Sequence, residues 1–178
     1  MTVYAEIIFA GFGGQGVLLA GQTLAKCSMW HGLQVSWIPS YGPEMRGGTA
    51  NCTVVLSDRP IASPCATQYD IAVLFNQPSC DKFLPKVRDG GTVFFDEAAV
   101  KQAARPGVTL VPVPATRTAD AIGSIRVLNM VMLGALVKKA NLLPVAEMLG
   151  AFDRLFTGKK SQFLELNRQA VTQGAALV

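Results

Sequence analysis

The sequence predicts a three-layer α/β domain built on a mixed, mostly parallel sheet, with a helical C-terminal part. Three observations carry this prediction. Short apolar runs rich in β-branched and aromatic residues alternate with helical segments up to Val113. A glycine turn, Gly11-Phe12-Gly13-Gly14-Gln15-Gly16, separates the first of these runs from a longer helical one. Beyond Val113 the pattern is helical to the end. No repeat, low-complexity tract or linker divides the 178 residues, so 1–178 reads as one domain large enough for a real core.

Tyr4–Ala10 reads as the first strand. Gly11, Gly13 and Gly16 then match the G-x-G-x-x-G spacing of a Rossmann-like turn. One glycine makes the tight turn, one lets a ligand approach bare backbone, and one lets the helix pack close to the strand. Gly13 is the expected point of approach, with a positive φ. Gly14–His31 reads as a helix that is apolar around most of its circumference, ended by Gly32 at C′. A second strand, Gln34–Ile38, stops at Pro39 and opens the loop Ser40–Gly48. Asn51–Leu56 is the third strand. The connection between these two is too short for a parallel crossover, which makes the pair antiparallel and the sheet mixed.

After the turn Asp58-Arg59-Pro60 and a linker at Ser63-Pro64, Ile71–Phe75 is a buried strand. Asp81–Val87 reads as a short helical turn and Thr92–Phe95 as a strand ending at Asp96. Ala98–Ala104 is expected to be helical. Strand Val108–Val113, with Pro112 and Pro114 near its end, is expected at the sheet edge. Ala119–Gly123 starts a turn. Ser124–Lys139 is a strongly apolar helix that must be covered, either by the sheet and the two C-terminal helices or by another subunit. Gly134 and Ala135 would let a covering helix come close. Pro144 fits the first position of a helix running to Phe156, and Lys160–Gln173 is amphipathic.

Half the residues are hydrophobic and 16% are charged, below the roughly 25% typical of soluble domains. So little charge points to faces covered by other subunits. The net charge of +4 is spread along the chain, without the clustered Lys, Arg and aromatics of a nucleic-acid surface. Mild basicity fits an anionic small ligand instead. The longest apolar run, around Val131–Val137, is far short of the ~20 residues that span a bilayer. No basic segment precedes the first apolar run, so no signal peptide is expected. A cytoplasmic protein is expected. Cys27, Cys52, Cys65 and Cys80 lack the close spacing of zinc or iron–sulfur ligands. They are expected to be reduced and mostly buried.

Candidate site residues fall in two stretches. Gly11, Gly13, Gly14, Gln15 and Gly16 place free N–H groups at a helix start, a setting suited to phosphate or another anion. The plainer reading is a tight βα turn. The loop Ser40–Gly48 leaves the same sheet edge. There Arg46 could grip a phosphate or carboxylate, with Gly47 and Gly48 freeing backbone amides. Glu44 could equally hold Arg46 in a local ion pair. A dinucleotide is disfavoured, because the position that bonds the ribose falls near Ile38, Pro39 and Ser40, where no acid stands. A P-loop fails too, since Val17 and Leu18 follow Gly16. No nucleophile elbow, metal cluster or isolated acid pair is present. His31, the only histidine, has no carboxylate or nucleophile near it in sequence and reads as structural. These features describe a binding and assembly subunit rather than a chemical one.

Taken together, Gly11–Gly16 and Ser40–Gly48 resemble the gamma subunit of the 2-oxoacid:ferredoxin oxidoreductase family. Ser57-Asp58-Arg59-Pro60-Ile61, Pro85–Gly91 and Asn129-Met130-Val131-Met132-Leu133-Gly134 extend the resemblance along the chain. It implies an enzyme that oxidatively decarboxylates a 2-oxoacid with thiamine diphosphate, passes electrons through iron–sulfur clusters to ferredoxin, and releases acyl-CoA. It further implies alpha and beta partners, in many enzymes also delta, that carry those cofactors. This chain would then contact coenzyme A through its glycine loop without doing chemistry. Glu44-Met45-Arg46-Gly47 and Thr49-Ala50-Asn51-Cys52 resemble 2-oxoglutarate enzymes most, with branched-chain 2-oxoacids and pyruvate as alternatives. The competing class is a free-standing nucleotide-binding or redox-sensing Rossmann domain.

Overall fold

The computed structural model describes residues 3–41 and 49–178. Its elements run β1 (Tyr4–Phe12), α1 (Val17–Trp30), β2 (Gln34–Tyr41), β3 (Thr49–Ser57), β4 (Tyr69–Leu74), α2 (Gln77–Phe83), β5 (Val87–Asp96), β6 (Thr109–Val113), α3 (Ala115–Ile122), α4 (Leu128–Ala140), α5 (Val145–Leu155) and α6 (Leu164–Ala176). Short 3-10 turns at Leu84–Lys86, Ile125–Val127 and Gly158–Phe163 lead out of or into helices.

The sheet order is β2-β3-β1-β4-β5-β6. β1, β4, β5 and β6 pair in parallel, and β3 is antiparallel to both β1 and β2. The mixed, mostly parallel sheet therefore has β3 as its reversed strand, and β6 lies at one edge as expected. At the other edge Pro39 sits inside β2 rather than ending it. β2 pairs only with β3, so its missing N–H can face outward without breaking the ladder.

Side chains alternate across β1. Ile7 and Phe9 join the core beneath α1 and α4, while Ile8 and Ala10 join a smaller core with Cys80, Phe83 and Leu84. The helical layer on the first face is the deeper one, because α4 is a central element: every residue from Leu128 to Val137 is buried. α6 covers it at backbone contact. A Cβ on Gly134 would lie 2.2 Å from the Val171 carbonyl oxygen, and one on Gly174 would lie 2.0 Å from that of Val131. The close helix that Gly134 admits thus belongs to this chain, which settles the cover of α4 without another subunit.

Three other expectations need correction. Residues 98–104 form no helix; a turn follows Asp96 and the chain then runs irregularly. Gln77 captures that segment: its Oε1 accepts the N–H groups of Lys101 (2.8 Å) and Gln102 (3.0 Å), and its Nε2 donates to the Gln102 carbonyl (2.8 Å). These bonds use backbone groups a helix would need. The short helix after β4 begins earlier than Asp81, because Asn76 caps it by accepting the Ser79 N–H at 2.9 Å, with a proline in the first turn. α3 likewise begins at Ala115 rather than Ala119.

Among the described residues no helix is long and apolar enough to cross a membrane, and no three His, Cys, Asp or Glu side chains gather as metal ligands. Burial pushes the Cys27 and Cys52 thiols up to about 12, and burial followed by the nearby Asp81 charge raises Cys80. Cys65 is exposed. Since only the thiolate reacts, Ellman's reagent at about pH 8 is expected to label Cys65 quickly and the other three only after denaturation. Rapid labelling of a second thiol in the folded protein would contradict this burial.

Candidate functional site

β1 delivers the chain to the carboxyl edge of the sheet, and the turn after it reverses direction into α1. Two of its glycines have positive φ: Gly14 at +96° and Gly16 at +74°. Gly13 is not among the positive-φ glycines, so the expected strain falls on its neighbours. The glycines divide their work. A Cβ on Gly11 would lie 2.8 Å from the Phe75 Cβ and 2.8 Å from Val17, and one on Gly16 would lie 2.5 Å from the Asn129 Nδ2. Those two let α1 sit close to β4 and α4. Among the described residues nothing lies within 4 Å of a Cβ placed on Gly14, and Gly13 and Gly14 are both exposed. That is the open face of the turn.

Gln15 holds the turn in shape. Its Oε1 accepts the Phe12 N–H at 2.6 Å and an Asn76 amide proton at 3.1 Å, and its Nε2 donates to the Phe75 carbonyl at 3.2 Å. It clasps the ends of β1 and β4, so its role here is positioning. On the other side the Asn129 Nδ2 donates to the Gly16 carbonyl at 3.1 Å. The Asn129 Oδ1 is buried without a partner among the described residues. Asn76 and Asn129 were not among the sequence candidates; each converges on the turn from a distant segment.

What remains free is a row of donors. Gln15 N–H returns to the Phe12 carbonyl and Ala20 N–H to Gly16, but the N–H groups of Gly13, Gly14, Gly16, Val17, Leu18 and Leu19 donate to no backbone carbonyl among the described residues. The N-cap is Gly16, with no side-chain cap, and the first turn of α1 carries no acid. Uncapped amides at the positive end of a 14-residue helix favour an anion there. Two polar side chains after β4 and at the end of β5 are engaged in local bonds. Asn76 caps α2, and the buried Asp96 accepts from the Thr116 N–H at 3.1 Å and from its hydroxyl.

Glu44, Arg46, Gly47 and Gly48 lie outside the described residues. The residues that bracket them stand at the same edge: Thr49 pairs with Phe12, and Tyr41 with Ala50. His31 is remote from the turn, at the other end of α1, where its Nδ1 pairs with Glu147 of α5. The carboxylate missing from its sequence neighbourhood comes from 116 residues away, and the pair ties two helices together.

A family model described as pyruvate ferredoxin/flavodoxin oxidoreductase matches residues 6–177. Ketoisovalerate oxidoreductase subunit VorA of Methanothermobacter marburgensis is 39% identical over 171 residues, covering 96% of this chain and 36% of that protein. The chain therefore spans about a third of the length of the VorA relatives it matches. The 2-oxoglutarate synthase subunit KorC of Methanocaldococcus jannaschii is 39% identical over 147 residues, 80% of this chain and 79% of that one. Among solved structures, the gamma subunit of a keto/oxoacid ferredoxin oxidoreductase from Geobacter sulfurreducens superposes with a TM-score of 0.85 at 30% identity, covering 98% of this chain and 96% of that one. The 2-oxoglutarate:ferredoxin oxidoreductase of Magnetococcus marinus, solved with 2-oxoglutarate, coenzyme A and succinyl-CoA bound, superposes at 0.87 with 27% identity, covering 98% of this chain and 31% of that one.

Proposed function

The chain belongs to the pyruvate ferredoxin/flavodoxin oxidoreductase family, and we propose that it serves as the gamma subunit of a multisubunit 2-oxoacid:ferredoxin oxidoreductase. In this reading residues 1–178 act as one domain that contacts coenzyme A and helps assemble the enzyme. Alpha and beta partners, with or without a delta subunit, bind the thiamine diphosphate that decarboxylates the 2-oxoacid and the iron–sulfur clusters that pass its electrons to ferredoxin. The substrate is 2-oxoglutarate, a choice supported by the Glu44–Gly47 and Thr49–Cys52 motifs and by KorC relatives whose length the chain largely matches. A cytoplasmic location fits such an enzyme.

The observation that carries the reading is the open, amide-lined turn at Gly13 and Gly14. It offers uncapped donors and a helix dipole to an anion, and coenzyme A presents phosphates. Gly11, Gln15 and Gly16 build the turn, while Arg46, Gly47 and Gly48, with Glu44 as the ion-pair alternative, are its proposed flank. The free-standing nucleotide or redox-sensor alternative is weaker, because β2 ends in Pro39, Ser40 and Tyr41 with no acid for a ribose.

In the assembled enzyme Gly13→Val and Arg46→Ala are expected to raise the KM for coenzyme A and to leave coenzyme A-independent decarboxylation near normal. Gly13 is the position to change because it avoids the backbone strain of Gly14 and Gly16. Loss of a charge-assisted hydrogen bond at Arg46 is worth at least ~1.5 kcal/mol, about tenfold in affinity. Variants that assemble normally with wild-type coenzyme A dependence would make both positions structural. The isolated chain is expected to reduce no viologen dye with 2-oxoglutarate and coenzyme A; turnover by it alone would refute the subunit reading.

A further inference from the structure

Beside the glycine turn, on the flank of α1, lies an open groove of about 360 Å³. Val127 and Phe156 form its buried floor, and Leu19 and Phe163, each 39% exposed, stand at its walls. Arg126 and Lys160 lie on its rim, both exposed, and no carboxylate lines it. Among the described residues neither cation has an ion-pair partner, whereas the nearby acids Asp153 and Glu165 are both taken by Arg168. Among the described residues this leaves an apolar trough with two positive charges that no carboxylate pairs.

We propose that this groove is the docking site for a segment of a partner subunit that presents apolar side chains flanked by carboxylates. The inference rests on the subunit reading above and adds to it the surface through which one partner binds. Charge complementarity selects the occupant. A purely apolar element would leave Arg126 and Lys160 desolvated without counter-charge, and a second copy of this groove would bring like charges together. Apolar anchors filling a pocket, with ion pairs at the rim, are the usual anatomy of a specific interface. The position also links assembly to the ligand site. Leu19 is the third residue of α1, and Arg126 and Val127 lead directly into α4, whose Asn129 holds Gly16. A docked segment would press on the two helix starts that shape the turn.

The test co-expresses the chain with the thiamine diphosphate-binding subunits of its complex and measures the fraction that co-elutes. Two variants probe the groove: Phe163→Glu, and the rim reversal Arg126→Glu with Lys160→Glu, which alters exposed side chains only. Each isolated variant should melt within a few degrees of wild type, and each should bind its partners at least tenfold more weakly. A photo-crosslinker at Ser124 should join the wild-type chain to an acidic segment of a partner. Undiminished co-elution of the rim reversal would overturn the docking site while leaving the subunit reading intact. A crosslink only to another copy of this chain would do the same, as would displacement of nothing but an added amphiphile such as decanoate. Failure of the wild-type chain itself to co-elute would overturn the subunit reading, and this inference with it.

Discussion

Gly174→Ala is expected to lose about 3 kcal/mol of stability or more, although alanine is the better helix former. On propensity alone the change should gain roughly 1 kcal/mol. The new Cβ, however, would sit 2.0 Å from the Val131 carbonyl oxygen and 2.9 Å from its Cα. These neighbours are backbone atoms within the buried stretch Leu128–Val137 of α4 and cannot rotate away. α4 and α6 must separate, and overpacking of this kind costs about 1–3 kcal/mol or more. Gly134→Ala meets the same helix pair from the other side, 2.2 Å from the Val171 carbonyl oxygen, and should behave alike. Gly150 in α5 is the internal control: it is exposed, and among the described residues nothing lies within 4 Å of its Cβ position. Gly150→Ala should stabilise by up to ~1 kcal/mol. By thermal denaturation, a domain of this size should lose about 6–12 °C with Gly174→Ala and gain a few degrees with Gly150→Ala. Equal melting temperatures for the two variants would mean that the α4–α6 approach is looser than described.

Arg88→Met is expected to cost about 2–3 kcal/mol, chiefly because it strands a carboxylate without its counter-charge. Arg88 on β5 donates to Asp70 on β4 at 2.6 Å and to Glu6 on β1. Glu6 also accepts from the Tyr4 hydroxyl at 2.9 Å, and its own N–H donates to Asp70 at 2.8 Å. Hydrogen bonds to Glu6 first and Asp70 second hold the Arg88 guanidinium above its usual range. The Glu6 side chain is only 10% exposed, so without Arg88 its charge has little water to turn to. Breaking a buried pair from one side costs about 3–5 kcal/mol; Arg88 is 37% exposed, which lowers the figure here. The double variant Glu6→Met with Arg88→Met removes both charges and should recover most of the loss, since an apolar replacement of a buried pair is often nearly neutral. Urea unfolding of the wild type, both single variants and the double variant gives the coupling. Additive losses would show that Glu6 is adequately solvated alone.

Local rules were enough for much of this protein. The glycine turn opening a helix, the antiparallel β2–β3 pair and the edge position of β6 all follow from residue types and connection lengths, because each depends on a few neighbouring residues. The spacing of Gly11, Gly13 and Gly16 marked the tight turn between β1 and α1 for the same reason. Tertiary structure decided what distant segments do to one another. Residues 98–104 have the composition of a helix, but Gln77 takes the backbone groups that helix would use. His31 lacks an acid nearby in sequence, and the packing of α5 against α1 supplies Glu147. The apolar character of α4 demanded a cover without naming it, and two glycines on two helices identify α6. Asn76 and Asn129 reach the turn only because β4 ends and α4 begins beside it. A contact between residues 61 or 113 positions apart leaves no periodicity to read, so these partners become visible only when the chain is folded.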